Sequence, residues 1–140
     1  MRHFRATENR KKNKLIKSVN YKINLYICIQ TNTNRKMFLI KKTTEFDKWL
    51  RKLKDIRAKA KILIRIQKLE KDEHFGDCEN VGEGIRELKI NYAKGYRVYF
   101  KEQEGKVIIL LIGGDKSTQQ QDIEKAKEIL NLLNLKNGSN

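Results

Sequence analysis

Most of the residues that build familiar catalytic and metal chemistry are scarce in this chain. Two cysteines, Cys28 and Cys78, stand among 140 residues, too few for a disulfide framework or a tetrahedral zinc site, so free thiols in a reducing compartment are expected. There are two histidines: His3 belongs to the N-terminal stretch, and a lone loop histidine such as His74 is usually a polar surface residue. No metal site is expected. Neither a Ser-His-Asp set nor a carboxylate pair with a defined partner can be assembled, which argues against hydrolysis of peptides or sugars. Gly113-Gly114-Asp115-Lys116-Ser117-Thr118 invites comparison with a P-loop, but Asp115 stands before Lys116 and the glycine five residues before a Gly-Lys pair is missing. Nucleotide binding of that kind is rejected, and no cofactor is expected. Long apolar runs are also lacking. None reaches the roughly 20 residues of a membrane span, and Ile23 to Ile29, interrupted by Asn24, has no small-residue cleavage site and fits a secretory signal poorly. A soluble, cytoplasmic protein with no membrane partner is expected.

Acids are the remaining shortage, 17 against 32 lysines and arginines, for a formal charge of +15. A surplus of this sign attracts phosphate backbones and other polyanions. It is uneven: residues 1–36 hold ten basic residues and one acid, while residues 37–140 hold 22 and 16. Residues 1–36 offer little beyond Ile23 to Ile29 to bury against the entropy of ordering. They are expected to be a basic, disordered extension, serving either as an arm on a nucleic-acid backbone or as a leader upstream of a start at Met37. A single domain is expected over residues 37–135, with a flexible end at 136–140.

Within that domain, Met37 to Ile40 reads as a short strand, and Thr44 with Asp47 fits a capping box. Phe46, Trp49, Leu50 and Leu53 then follow helical spacing. After a break near Lys54-Asp55, Ile62, Leu63, Ile66 and Leu69 mark a second helix. Arg57, Lys61, Arg65 and Lys68 recur on another face of it, either as a solvated row or as a hold for a phosphate-rich partner. Val81 to Phe100 is the centre of the pattern. Leu88, Ile90 and Tyr92 alternate with polar residues, Tyr96, Val98 and Phe100 repeat the alternation, and Ala93-Lys94-Gly95 turns between them with Gly95 suited to positive φ. Val107 to Ile112 is continuously apolar, as in a strand covered on both faces. Ser117 with Gln120 fits a capping box for a last helix carrying Ile123, Ala126, Leu130 and Leu133 inward. The expected fold is α+β: a compact antiparallel sheet of about four strands, backed by two N-terminal helices and a C-terminal helix.

This arrangement leaves Lys89, Arg97 and Tyr99 on a sheet face that the core does not claim, with Lys94 in the adjoining turn. The end of the central strand, where Asp115 and Lys116 emerge, adjoins that face. Lys116 at a helix start calls for a nearby anion, and arginine and lysine in a concave patch can stabilise charge on a phosphoryl group.

The segments MFLIKKTTEFDKWLRKLKD, FGD, VGEGIRELKINY, GYRVYF and LLIGGDKSTQQQDIEKAKEIL resemble the phage-derived, HigB-like killer-protein branch of the RelE/ParE toxin superfamily, from Met37 to about Leu133. The resemblance implies a small α/β fold, a toxin of a type II toxin-antitoxin system, and cleavage of mRNA on the ribosome. It also implies a cognate antitoxin, here a helix-turn-helix protein. Arg97 resembles the strand arginine that contacts the scissile phosphate, Lys116 lies where relatives place C-terminal basic residues, and Lys89 stands where relatives carry arginine. Arg57, Lys61, Arg65, Lys68, Lys94 and Tyr99 would contact RNA or ribosome. The chain departs from the pattern at Lys94, where proline is common, and at Gln119 to Asp122, which holds no tyrosine to serve as general acid or base. Two alternatives remain: a ParE-like toxin that blocks a topoisomerase without nuclease chemistry, and a basic nucleic-acid-binding module that is not a toxin.

Overall fold

A computed structural model describes residues 37–71 and 75–138. The expected extension 1–36, and with it His3 and Cys28, lies outside the described residues, as does His74. Strand β1 (Leu39–Lys42) leads into helix α1 (Thr44–Lys52) and helix α2 (Ile56–Lys71). Strands β2 (Cys78–Gly82), β3 (Ile85–Ile90), β4 (Tyr96–Gln103) and β5 (Val107–Asp115) follow, and a 3₁₀ turn (Lys116–Thr118) opens helix α3 (Gln119–Gly138).

Each helix start is set by a short polar side chain, one position away from the sequence expectation in the first case and two in the last. Thr43 rather than Thr44 caps α1, its Oγ1 accepting from Phe46 N at 3.0 Å, and the same hydroxyl donates to the Leu111 carbonyl at 2.6 Å, fastening the helix start to β5. Asp55 Oδ1 accepts from Ala58 N at 3.0 Å and opens α2. At the third junction Asp115, not Ser117, takes the cap, accepting from Ser117 N at 2.8 Å. Its carboxyl is held below the usual aspartate range chiefly by the Ser117 hydroxyl. Helix α3 runs on to Gly138, through part of the stretch expected to be a flexible end.

The sheet has five strands in the order β1-β5-β4-β3-β2. It is mixed, not antiparallel: β1 pairs with β5 in parallel, Ile40 opposite Ile108, while the other pairs are antiparallel. The strand missing from the sequence reading is β2, an edge strand mostly open to solvent, which therefore lacks the apolar alternation that marks a half-buried strand. The β3-β4 hairpin forms as expected, and Gly95 has φ 76°.

Both faces of the sheet are covered. Ile40, Leu88, Val98, Phe100, Ile108 and Leu110 pack with Phe46 and Leu50 of α1 and Ala58, Ile62, Ile66 and Leu69 of α2. Leu63, expected in the α2 stripe, is exposed, whereas Phe75, fully in the core, contacts the rings of Phe38 and Phe100. On the opposite face Ile85, Tyr99, Leu111 and Ile112 pack against Ala126, Ile129 and Leu130 of α3. Leu111 is the extra residue of a bulge opposite the Tyr99-Phe100 step. After this shift the alternation of β5 resumes in the opposite phase, which points Gly113 toward α1 and Gly114 toward α3. Among the described residues no helix is long and apolar enough to cross a membrane, and no group of three or more metal-ligating side chains occurs.

Candidate phosphate-binding site

The face bearing Lys89, Arg97 and Tyr99 is where the structure corrects the sequence most. Where α3 covers it, Tyr99 and Arg97 are buried, whereas Lys89 stays partly open at the edge of the sheet. Tyr99 is 0% exposed and donates its hydroxyl to Glu87 Oε2 at 3.0 Å. Burial first, then the Glu87 charge and this hydrogen bond, push the phenol well above its ordinary value. It packs and positions, and presents no surface to RNA.

Glu87, also 0% exposed, is the hub. Its Oε2 additionally accepts from Gln119 Nε2 at 2.7 Å, which ties the first turn of α3 to the middle of β3. Its Oε1 lies 3.5 Å from Arg97 Nε, an ion pair in which neither atom completes a hydrogen bond. Arg97 is 8% exposed, and among the described residues its guanidinium makes one hydrogen bond, Nη1 to the Tyr96 carbonyl at 3.2 Å. A buried guanidinium is costly unless a charge and hydrogen bonds answer it. Here the charge comes from Glu87 and most of the five donors stay uncommitted, which suits a planar fork to an oxyanion.

The backbone of Lys116 emerges close to Arg97. The Lys116 amide donates to the Gly95 carbonyl at 2.8 Å, joining the hairpin turn to the end of β5. Arg97 Nη1 and Lys116 Cβ lie 3.7 and 3.6 Å from the point where a Cβ on Gly95 would stand. Lys89 is directly opposite Arg97 in the β3-β4 register, but its ammonium is held by Glu79 on β2 at 2.5 Å. Lys94, in the turn, adds to the field that lowers the Asp115 carboxyl.

The basic row of α2 lies apart from this centre. Lys61 stands over the Tyr92 ring, 5.1 Å from its centroid, and Arg65 packs where a Cβ on Gly76 would be. Lys61, Arg65, Lys89 and Tyr92 line a shallow cavity of about 420 Å³ beside β3, so the row reaches the Arg97 site only around the strand edge, at Lys89. Arg57 and Lys68 are exposed on the same helix.

At the end of the sheet a second cavity of about 470 Å³ opens between the end of α1 and the start of α3. Gly114, opposite Arg97 in the β4-β5 register, lines it. A Cβ on Gly113 would stand 2.2 Å from the Trp49 ring, and one on Gly114 would stand 1.8 Å from Asp122 Oδ2. The glycine pair therefore lets an indole and a carboxylate reach the strand from either side. Burial raises the Asp122 carboxyl, with a hydrogen bond from the Thr118 hydroxyl at 2.6 Å acting the other way. Glu87, Gln119 and Asp122 were not singled out from sequence, and Trp49 and Tyr96 were read there only as core-facing positions of a helix and a strand.

Comparison with known proteins gives the lineage of this site. The profile described as phage derived protein Gp49-like (DUF891) matches residues 48–133, more than half of the chain. The chain belongs to the Gp49-like family. This is a family of RelE/HigB-like addiction-module killer proteins, and the matched span contains Glu87, Arg97, Lys116 and the second cavity. An uncharacterized protein of Haemophilus influenzae is 54% identical over 96 residues, covering 69% of this chain and 96% of the relative. No solved structure matches.

Proposed function

We propose that this Gp49-like protein is the toxin of a type II toxin-antitoxin pair and acts as a ribosome-dependent mRNA endonuclease, neutralised by a cognate helix-turn-helix antitoxin. The observation that carries this reading is Arg97: a nearly buried guanidinium, anchored by Glu87, with donors unspent, at the sheet end where Lys116 also emerges. In the proposed reaction a ribose 2′-hydroxyl gives up its proton and its oxygen attacks the adjacent phosphorus. The bond to the 5′-oxygen then breaks, and that oxygen is protonated. The products are a 2′,3′-cyclic phosphate and a 5′-hydroxyl. Arg97 stabilises the charge that grows on the phosphorane oxygens, and Lys116 or Lys89 assists by neutralising charge or moving the proton. The ribosome holds the message in line for attack.

The test is cleavage of mRNA on translating ribosomes, run beside a gyrase supercoiling assay. Arg97→Ala should lower cleavage at least about a hundredfold, the scale of removing one preorganised donor from a developing oxyanion. Unchanged cleavage would remove Arg97 from the site. An intact message together with blocked supercoiling would replace the nuclease with a ParE-like topoisomerase inhibitor.

A further inference from the structure

On the sheet face that carries Arg97, two rows of charge lie side by side. Lys89 of β3 stands directly opposite Arg97 of β4, and in the adjoining row Glu79 of β2 stands opposite Glu87 of β3. Residues two apart on a strand share a face, so the four side chains form a square of two cations and two acids. Like charges directly opposite each other destabilise a sheet. The acids offset this: Glu87 answers Arg97 across 3.5 Å, and Glu79 answers Lys89 across 2.5 Å.

The two acids are held very differently. Glu87 is 0% exposed and is fastened a second time by Tyr99 and Gln119, so it cannot leave Arg97 without opening the core. Glu79 stands on the edge strand with its side chain 62% exposed, and among the described residues its carboxylate bonds to Lys89 alone. Exposed ion pairs of this kind are weak, and salt competes with them. The hydrogen bond from Lys89 holds the Glu79 carboxyl below the usual glutamate range, and the charge of Arg97 acts in the same direction. The bond to Glu79 likewise raises the Lys89 ammonium, with Glu87 among the charges that add to it. Glu79 thus occupies the joint field of both cations, where a phosphate oxygen would bring the same charge and the same accepting lone pairs.

We infer that Glu79 is an internal stand-in for phosphate, which occupies Lys89 beside Arg97 in the free protein and yields it to a phosphodiester when nucleic acid binds. Lys89 then becomes the second cation on the ligand, while the buried Glu87 keeps Arg97 in place. The inference rests on the reading of Arg97 as a phosphate site, but it is measured by binding and needs no cleavage.

The probe is a short dye-labelled oligodeoxynucleotide, which has no 2′-hydroxyl to attack, bound to the full chain and followed by fluorescence anisotropy across a potassium chloride series. On single strands each phosphate contact adds about 0.7 to the steepness of log affinity against log salt. Glu79→Gln, which releases Lys89, should tighten binding and steepen that dependence by about one contact. Glu79→Ala should do the same. Glu83→Gln controls for charge alone: it removes an acid from the exposed turn between β2 and β3 and should leave the steepness at the wild-type value. In a Lys89→Ala background, Glu79→Gln should do no more than Glu83→Gln does. A salt dependence unchanged by Glu79→Gln, or a change that persists without Lys89, would overturn the stand-in while leaving Arg97 its phosphate. Binding that is absent, or that Arg97→Ala leaves as it was, would remove the phosphate site and the stand-in together. The predicted change in a chain that leaves mRNA intact on ribosomes would keep the stand-in and remove the nuclease.

Discussion

Glu87 joins three side chains from two other elements: Tyr99 and Arg97 on the next strand, and Gln119 on the last helix. A carboxylate with no solvent contact depends on such partners, and removing one leaves its oxygen short of a bond at a cost of about 1–3 kcal/mol. Tyr99→Phe should therefore lower the unfolding free energy by that amount in urea denaturation while leaving the secondary structure intact. Stability equal to wild type would mean that the hydroxyl contributes nothing to Glu87. Arg97 was legible because GYRVYF stands in recognisable surroundings. Glu87 was not, since an acid alternating with apolar residues reads as solvent-facing, and only the packing of α3 on that face reverses the assignment. The same covering took Tyr99 from expected surface to interior.

At the level of elements, the decisive junction is the end of β5. Its bulge at Leu111 resets which face each following residue takes, and the two glycines let Trp49 from α1 and Asp122 from α3 reach the strand. Gly113→Ala places a methyl carbon 2.2 Å from the Trp49 ring, a clash against a rigid side chain that costs typically 1–3 kcal/mol when the surroundings must shift. The expected result is a stability loss of about that size in denaturant unfolding, with a changed Trp49 emission maximum. An unperturbed variant would show that the indole has room to move aside. Helix stripes and the β3-β4 hairpin were readable because one strong periodicity sets each of them. The caps were harder, since adjacent residues such as Thr43 and Thr44 offer the same oxygen and only the chain's exit from β1 chooses between them. Strand β2 left no signal, because an exposed edge strand is held by its backbone pairing with β3 and not by an apolar face.

For the molecule as a whole, the sequence conveyed the class of fold and the polyanion-seeking charge, but not the parallel pairing of β1 with β5. That pairing joins residues almost 70 positions apart and has no local signature. It places α1 against one sheet face and leaves the other to α3, so Arg97 and the start of Lys116 meet at the sheet end near Gly95 and not across an open floor. Arg97 approached from that end, with Lys116 beside it, is the geometry on which the nuclease reading stands. The most direct test uses programmed ribosomes carrying one message in two forms, all-ribose and with a single 2′-deoxynucleotide on the 5′ side of the mapped cut. The protein should cleave the first, leaving a cyclic phosphate end, and fail on the second at that position. An all-ribose message left intact, or a cut that persists without the 2′-hydroxyl, would contradict the account.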